Sequence, residues 1–257
     1  MIFIGERINT GFKDIKQAVM DKDPAPLQEW AKKQAQAGAT YLDVNLGAVS
    51  ADPAVMCWMI ETVQGAVQTP ICIDTNKPNI LAEAIKVARP GALINSTTAA
   101  AEKLDAMMPV AAEHNASIIG LVMDEAGTPT TADKRVENAG TILAKAMELG
   151  VSPDRVFLDP IIMPVKYKQD QIKQILDATS QFCLFCDPPP HIVCGLSNIS
   201  IGTANKQLIN RIFLAMAVAR GMDAAICDVL DTDLVNAVRT AELLMDKEIY
   251  ADSYAKT

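Results

Sequence analysis

Several short apolar runs in this chain end on a carboxylate or a carboxamide side chain. The polar residues at or just past these ends are Asn9, Asp43, Asn45, Asp74, Asn95, Asp159, Ser197, Asn198 and Asp228. A strand buried on both faces is apolar along its length, so polar residues at its tip need a functional explanation. Carboxylates accept paired hydrogen bonds, and carboxamides both donate and accept them. Together they suit a flat heterocycle rich in N–H groups, such as an aminopyrimidinone.

Each of these side chains also has a structural explanation. An Asp or Asn directly after a strand often caps the next helix or closes a turn, and for any single residue this explanation carries about equal weight. A structural origin for all of them would require many independent coincidences at one rim. We therefore predict a binding site there, with Asn9, Asp43 and Asn45 among its residues.

Strand-like runs alternate with amphipathic stretches along the chain. The predicted strands span residues 2–4, 41–44, 71–73, 92–94, 117–122, 156–158, 192–194 and 224–227. The predicted helices span residues 25–38, 53–68, 79–89, 102–114, 133–150, 169–181, 207–221 and 231–246. This alternation is typical of right-handed βαβ units around a parallel sheet. Eight units in 257 residues predict an α/β protein with a single (β/α)8 TIM barrel over residues 1–257 and an active site at the carboxyl ends of its strands.

The composition narrows the classes of partner. The formal net charge of −8 disfavours binding to nucleic acid or to an anionic membrane surface. Residues 1–7 lack the long apolar core of a signal peptide, and no run approaches the ~18 apolar residues of a membrane helix. The sequence therefore predicts a cytoplasmic protein that binds neither nucleic acid nor membrane.

The cysteines and histidines do not predict a metal site. Cys183 and Cys186 have the spacing of a metal or redox pair, but the chain has no second such pair and only two histidines, His114 and His191. A structural zinc site needs four ligands, so we expect these residues to have structural roles and no metal to be bound.

Longer segments of the sequence resemble one family of enzymes. The segments are residues 4–9, 14–16, 23–26, 42–45, 73–75, 94–97, 159–160, 195–198, 208–217, 221–226 and 250–253. In this order they closely resemble the methyltetrahydrofolate:corrinoid-protein methyltransferases, over nearly the whole chain. The resemblance implies a TIM barrel, a homodimer, and a barrel mouth that binds the pterin of 5-methyltetrahydrofolate.

By position, the resemblance also implies roles for individual residues. The positions that match the family's substrate-binding residues are Asp74, Asn95, Asp159, Gly195, Ser197 and Asn198. Asn198 matches the residue that moves toward the methyl-bearing nitrogen and stabilises charge on it. Lys206 stands where the acetogen enzyme of the family has an Arg. Because Lys and Arg differ in hydrogen-bond geometry, this departure bears on the role of the position and on the identity of the corrinoid partner.

The expected reaction needs few catalytic groups. The folate nitrogen is a poor leaving group unless it gains a proton or a strong hydrogen bond, whereas cobalt(I) in a corrinoid is a strong nucleophile without help from the protein. The enzyme would then act by positioning its substrates and stabilising charge. We expect Asn198 to hydrogen-bond the nitrogen, and Asp74 and Asp159 to relay a proton through water.

The corrinoid, a cobalamin-type group, is expected on a separate protein. This chain has no Asp-x-His-x-x-Gly run, which marks cobalamin-binding domains that supply a histidine to cobalt. The expected partner is a corrinoid protein of the iron–sulfur type or one loaded by a demethylase, and the sequence leaves the direction of methyl transfer open. Two alternatives are a dihydropteroate synthase-like enzyme, although residues 45–50 and 227–230 lack its basic residues, and a non-catalytic folate-binding module.

Overall fold

The computed structural model describes residues 1–252. Its strands are β1 (Ile2–Asn9), β2 (Tyr41–Asn45), β3 (Ile71–Asp74), β4 (Leu93–Thr98), β5 (Ser117–Leu121), β6 (Val156–Asp159), β7 (His191–Ile192) and β8 (Ala224–Cys227). Its α-helices are α1 (Lys13–Asp21), α2 (Ala25–Gln36), α3 (Pro53–Gln64), α4 (Pro78–Val87), α5 (Ala101–Glu113), α6 (Ala132–Glu148), α7 (Val165–Lys168), α8 (Gln171–Phe182), α9 (Lys206–Val218) and α10 (Thr232–Leu244). Residues 253–257, which end both the predicted domain and the last resembling segment, lie outside the described residues.

The eight strands form one parallel sheet that closes on itself. Its order is β7-β6-β5-β4-β3-β2-β1-β8, and each neighbouring pair is parallel. Gly195, just after β7, bridges to Ile226 of β8 across the remaining gap. The Ile226 N–H also donates to the Cys194 carbonyl at 2.8 Å. The predicted (β/α)8 TIM barrel is therefore confirmed.

Side-chain alternation along the strands separates two apolar cores. The larger core lies between the strands and the surrounding helices. The smaller one fills the barrel, and its buried members are Ile4, Cys72, Leu93, Ile119, Phe157, Val193 and Ala224. Because successive strand residues point to opposite faces, the residue two positions after an inner-core residue points inward again, now at the barrel mouth. The polar residues placed there in this way are Glu6, Asp74, Asn95 and Asp159.

The start of the chain differs from the predicted elements. β1 continues to Asn9, although the prediction ended it at Ile4. The helix α1 was not predicted at all. Its N-cap residue, Phe12, makes no side-chain capping bond, so the usual sequence signal for a helix start is missing. The helix is held instead by packing, because Ile15, Ala18 and Val19 are buried.

Arg7 explains why a charged pair lies inside β1. Its guanidinium carbon lies 4.0 Å from the centroid of the Phe12 ring and 4.1 Å from that of Trp30. The same group donates to both oxygens of Asp14, at 2.8 and 2.7 Å. Arg7 therefore points away from the barrel interior and fastens α1 and α2 to β1, while its neighbour Glu6 points inward.

The histidine and cysteine positions fit structural roles. The Nδ1 atom of His191 lies 2.6 Å from Asp223 Oδ2 at the amino-terminal end of the barrel. Cys72, Cys194 and Cys227 are buried in strands or directly after one. Within residues 1–252, no group of three or more His, Cys, Asp or Glu side chains is arranged to hold a metal ion. Over the same residues, no helix combines the length and apolar character needed to cross a membrane.

Candidate active site

Four polar residues lie at one level across four adjacent strands. Asn9 of β1 pairs in register with Asn45 of β2, which pairs with Asp74 of β3, which in turn pairs with Asn95 of β4. Asn9, Asn45 and Asp74 are the last residues of their strands, and Asn95 lies at the same level although β4 continues to Thr98. Active sites of this fold lie at the carboxyl ends of the strands. We call these four residues the rim row. Sequence reasoning predicted all four, and the structure brings them together.

Asp43 connects members of the rim row from below. The Asn95 Nδ2 atom donates to Asp43 Oδ1 at 3.2 Å, and the Asp43 carboxyl also hydrogen-bonds Asp74. Burial, reinforced by the nearby Asp74 charge, raises the pKa of Asp43 well above its usual range. The raised pKa favours the protonated form of Asp43, and in that form its carboxyl group donates to Asp74. This role is positioning, because Asp43 is only 2% exposed.

Asp74 is more accessible than Asp43. The Asn45 side-chain amide donates to its Oδ2 atom. Burial raises the pKa of Asp74 to about 6, although the hydrogen bonds from Asn45 and Asp43 act in the opposite direction. At neutral pH this carboxylate is largely ionised and can accept hydrogen bonds from a ligand.

Asp159, at the end of β6, is the second acidic group at the mouth. Its Oδ1 atom accepts the Ile161 N–H at 2.7 Å, and the Gly195 N–H also hydrogen-bonds this carboxylate. Burial dominates these hydrogen bonds and raises the pKa of Asp159 to about 7. The group is therefore poised to gain or lose a proton near neutral pH.

The segment after β7 places Asn198 beside Gly195. Residues Leu196–Ser200 form a short 3-10 helix, in which Asn198 is exposed. A Cβ atom added at Gly195 would lie 3.0 Å from Asn198 Nδ2, so glycine leaves room for this amide. The Gly195 N–H also donates a hydrogen bond to the Asp159 carboxylate, so Gly195 contacts both Asp159 and the exposed Asn198 amide.

Glu6 is a site residue that sequence reasoning missed. The Ser197 hydroxyl lies 2.8 and 2.9 Å from its two carboxylate oxygens and donates to them. Burial, which outweighs the Ser197 hydrogen bond, raises the pKa of Glu6, and the Asp228 charge raises it further. The signal was present in the sequence, because Ile2, Ile4 and Glu6 follow one another at period two.

Two predicted rim residues, and Lys206 from the family resemblance, make little contact with this network. The Asn9 Oδ1 atom accepts the Gly11 N–H at 2.7 Å, and Asp228 Oδ1 accepts the Leu230 N–H at 3.1 Å, so both stabilise turns. Lys206 is exposed at the first residue of α9, and its side chain has no hydrogen bond or ion pair within residues 1–252.

The arrangement suits binding and charge stabilisation more than nucleophilic catalysis. Its polar atoms belong to the carboxyl groups of Glu6, Asp74 and Asp159, to several amides, and to one hydroxyl that is engaged by Glu6. Carboxylates at this rim can hold the N–H edge of a heterocycle. Asp74 and Asp159, with pKa values raised to about 6 and about 7, can also exchange protons with a ligand at neutral pH.

Comparison with known sequences agrees with this chemistry. The model of the "Pterin binding enzyme" family matches residues 5–228. The chain is 32% identical to a methylcorrinoid:tetrahydrofolate methyltransferase of Eubacterium limosum over 259 residues, which cover 100% of this chain and 95% of that protein. It is 27% identical to methionine synthase of Mycobacterium tuberculosis over 240 residues, which cover 88% of this chain but 20% of that larger protein.

Solved structures with the same fold are pterin enzymes of another kind. A 7,8-dihydropteroate synthase from Vibrio fischeri superposes with a TM-score of 0.73 at 16% identity, covering 97% of this chain and 95% of that chain. A dihydropteroate synthase from Coxiella burnetii in complex with pteroic acid gives a TM-score of 0.70 at 14% identity, covering 96% and 94%. At these identities the likeness concerns the fold alone.

Proposed function

The chain belongs to the pterin-binding enzyme family, and we propose that it is a methyltransferase acting between tetrahydrofolate and the cobalt of a corrinoid on a partner protein. The observation that carries the proposal is the placement of Asp159 and Asn198 on either side of Gly195. The Asp159 carboxyl, which exchanges protons near neutral pH, thus lies close to the exposed amide of Asn198. This pair suits a reaction in which one nitrogen changes its charge.

The pterin would be held by the carboxylates and amides of the mouth. Asp74, Asn95 and Asp159 lie on three strands and surround one opening, with Asn45 and Asp43 fixing two of them. An ionised carboxylate can accept two parallel hydrogen bonds from the amino group and ring N–H of the pterin. Rigid strands keep these acceptors in place before the ligand arrives, which lowers the entropy that binding must overcome.

We assign the direction from the methylated corrinoid to tetrahydrofolate, because the full-length relative is named for that reaction. The folate amine attacks the methyl carbon, so that a carbon–nitrogen bond forms while the cobalt–carbon bond breaks. The bonding electron pair stays on cobalt, which becomes cobalt(I), and the amine proton passes to water or to a carboxylate. Asp159 is the preferred acceptor, because its pKa is about 7.

Asn198 would stabilise the nitrogen during this step. Its amide carries a donor and an acceptor, so it can hydrogen-bond the nitrogen whether or not a proton is attached. The side chain is exposed, and a short 3-10 segment carries it. Catalysis would then come from positioning and from charge stabilisation in the transition state.

The corrinoid partner is proposed to be a methylated protein loaded by a demethylase, and the transfer is proposed to take place in the cytoplasm. The six cysteines, all within residues 1–252, are unpaired, which fits a reducing compartment. The partner would present its cobalt at the barrel mouth, where Asn198 and Lys206 are exposed.

A homodimer is proposed to form through α9. Leu208, Ile212 and Met216 recur at helical spacing on this helix and are 59%, 55% and 45% exposed. They border a shallow apolar cavity of about 280 Å³ that also contacts Ile172 and Ile199. Apolar side chains in such a row are typical of a surface that packs against another protein.

The proposed reaction has a direct test. Purified protein is mixed with tetrahydrofolate and a methylated corrinoid protein, and the appearance of cobalt(I) absorbance and of 5-methyltetrahydrofolate is followed. We expect both to appear together and to depend on the enzyme. The reverse mixture, 5-methyltetrahydrofolate with cobalt(I) corrinoid, tests the opposite direction. Absence of transfer in both directions with a competent partner would contradict the proposal, as would formation of dihydropteroate from a dihydropterin pyrophosphate and p-aminobenzoate.

A further inference from the structure

A cavity with no role in the reaction described above lies beside the rim row. It has a volume of about 390 Å³ and lies between the segments that follow β2 and β3. Two of its lining residues, Asn45 and Asp74, also belong to the rim row. A ligand held by Asp74 can therefore extend directly from the barrel mouth into this space.

The lining of this cavity combines apolar surface with one cation. Leu46, Ala48 and Ile80 supply the apolar part, and Lys77 supplies the positive charge. Within residues 1–252, the Lys77 ammonium makes no hydrogen bond or ion pair, although the residue is half-buried. Some lysines of this acidic chain do have partners, as in the pairs Lys86–Glu83 and Lys145–Asp105, but those lysines do not line this cavity.

The backbone around Lys77 is held by its neighbours. The Lys77 N–H donates to the Thr75 hydroxyl at 3.2 Å. From the first turn of α5, the Lys103 ammonium donates to the Asn76 carbonyl at 2.9 Å. The loop is therefore fixed on both sides of Asn76, while the Lys77 side chain stays available to a ligand.

We propose that this cavity binds the tail of the folate. A folate consists of a pterin, a p-aminobenzoyl ring and one or more glutamates, and the glutamates are anionic at neutral pH. The ring would pack against Leu46, Ala48 and Ile80, and a glutamate carboxylate would pair with Lys77. This inference rests on the proposed function, because it takes the ligand of the rim row to be a folate. It makes Lys77 a specificity residue that favours glutamylated folates over bare pterins.

Two ligands and three variants test the inference. The ligands are tetrahydrofolate and 6-methyltetrahydropterin, which keeps the pterin and lacks the tail. The variants are Lys77→Met, Lys77→Glu and, as a matched control, Lys32→Met on the exposed surface of α2. Dissociation constants are measured by titration calorimetry at low salt and again at roughly 0.5 M salt, where screening shortens the Debye length to a few ångströms.

We expect Lys77→Met to weaken tetrahydrofolate binding about three- to tenfold and to leave 6-methyltetrahydropterin binding unchanged. Lys77→Glu should weaken tetrahydrofolate binding further, whereas Lys32→Met should leave it unchanged. High salt should reduce the difference in tetrahydrofolate affinity between wild type and the two Lys77 variants. Equal tetrahydrofolate affinity in wild type and Lys77→Met would overturn the inference, and so would an equal loss for both ligands. If 6-methyltetrahydropterin still binds wild type in those cases, the proposed methyl transfer stands. If wild type binds neither ligand, both proposals fail.

Discussion

The Asp159 carboxyl shows how a residue proposed to bind the substrate can cost the folded protein stability. Its pKa rises from an ordinary value near ~4 to about 7 on folding, because burial disfavours the charge. The folded state therefore holds a proton that the unfolded chain has lost, over the pH range between these two values. Its contribution to stability is fully present below pH ~4 and is lost as the pH rises through about 7.

Asp159→Asn should therefore stabilise the protein at alkaline pH. The free energy of unfolding of the variant should exceed that of wild type by on the order of 3 kcal/mol at pH ~8, and the difference should shrink toward zero near pH ~4. Urea unfolding of both proteins at several pH values measures this difference. The other acidic groups are the same in both proteins, so their contributions to the pH dependence cancel. Two curves that stay parallel across the whole range would show that Asp159 is not the group responsible.

Asn198→Ala should slow methyl transfer more than it weakens folate binding. The exposed amide is proposed to hydrogen-bond the nitrogen more strongly as charge develops on it, so we expect the rate for bound substrate to fall ~10- to 100-fold. Single-turnover kinetics at saturating folate measures this rate, and equilibrium titration measures the affinity. A loss confined to the affinity would instead identify Asn198 as a ground-state binding residue.

Asp74→Asn provides the opposite comparison. Hydrogen bonds from Asn45 and Asp43 fix the position of Asp74, so Asp74 should recognise the pterin before the reaction begins. We expect its loss to raise the folate dissociation constant ~10-fold or more. A folate affinity equal to that of wild type would refute this role.

At the scale of single elements, Arg7 links β1 to the two helices that follow. Its guanidinium contacts the Phe12 and Trp30 rings and pairs with both oxygens of Asp14. Arg7→Ala should lower the free energy of unfolding by about 1–2 kcal/mol, since this site is only partly exposed. Urea unfolding measures the loss, and Lys16→Ala on the exposed face of α1 is the control. Equal stability of the two variants would show that Arg7 does not anchor the helix.

The elements also show which parts of the structure could be predicted from the sequence. Cys72, Leu93 and Phe157 precede the polar tips by two residues, so period-two alternation was enough to place Asp74, Asn95 and Asp159 at one mouth. The same rule would have placed Glu6, but the predicted first strand ends at residue 4 and so leaves Glu6 outside it. β1 tolerates Glu6 and Arg7 because their side chains point to opposite faces of the strand. Arg7 packs against the rings of Phe12 and Trp30, which lie outside β1.

Other features depend on tertiary contacts that leave no local signal. The helix α1 has no capping side chain, and its stability comes from the buried residues Ile15, Ala18 and Val19. The pKa values of Asp43 and Asp74 depend on burial and on the hydrogen bonds that join strands β2, β3 and β4. A strand pattern in one sequence does not reveal the burial of these groups or the hydrogen bonds between strands. The sequence alone therefore could not distinguish Asp43, as a positioning residue, from Asp74, as a proposed binding residue.

For the whole molecule, the apolar row on α9 predicts its assembly. Ile212→Glu introduces a charge at the centre of this row and should convert the proposed dimer into a monomer, because an unpaired charge in an apolar interface is costly. Sedimentation velocity at micromolar concentration measures the change. Met147→Glu, at a 59% exposed position on α6, is the matched control and should leave assembly unchanged. A monomeric wild type, or a dimer that survives Ile212→Glu, would contradict the proposed interface.

The rim row lies on strands, whereas the Leu46–Ala48 and Thr75–Lys77 segments beside it are loops. Loops of a barrel can change in length and composition with little effect on the strands that support them. Under the proposed function, recognition of the heterocycle by the strands and recognition of its attached group by the loops are thus separable in this scaffold. Grafting other loops after β2 and β3 should redirect the enzyme to pterins with different appendages, and the strand-borne binding residues would need no redesign.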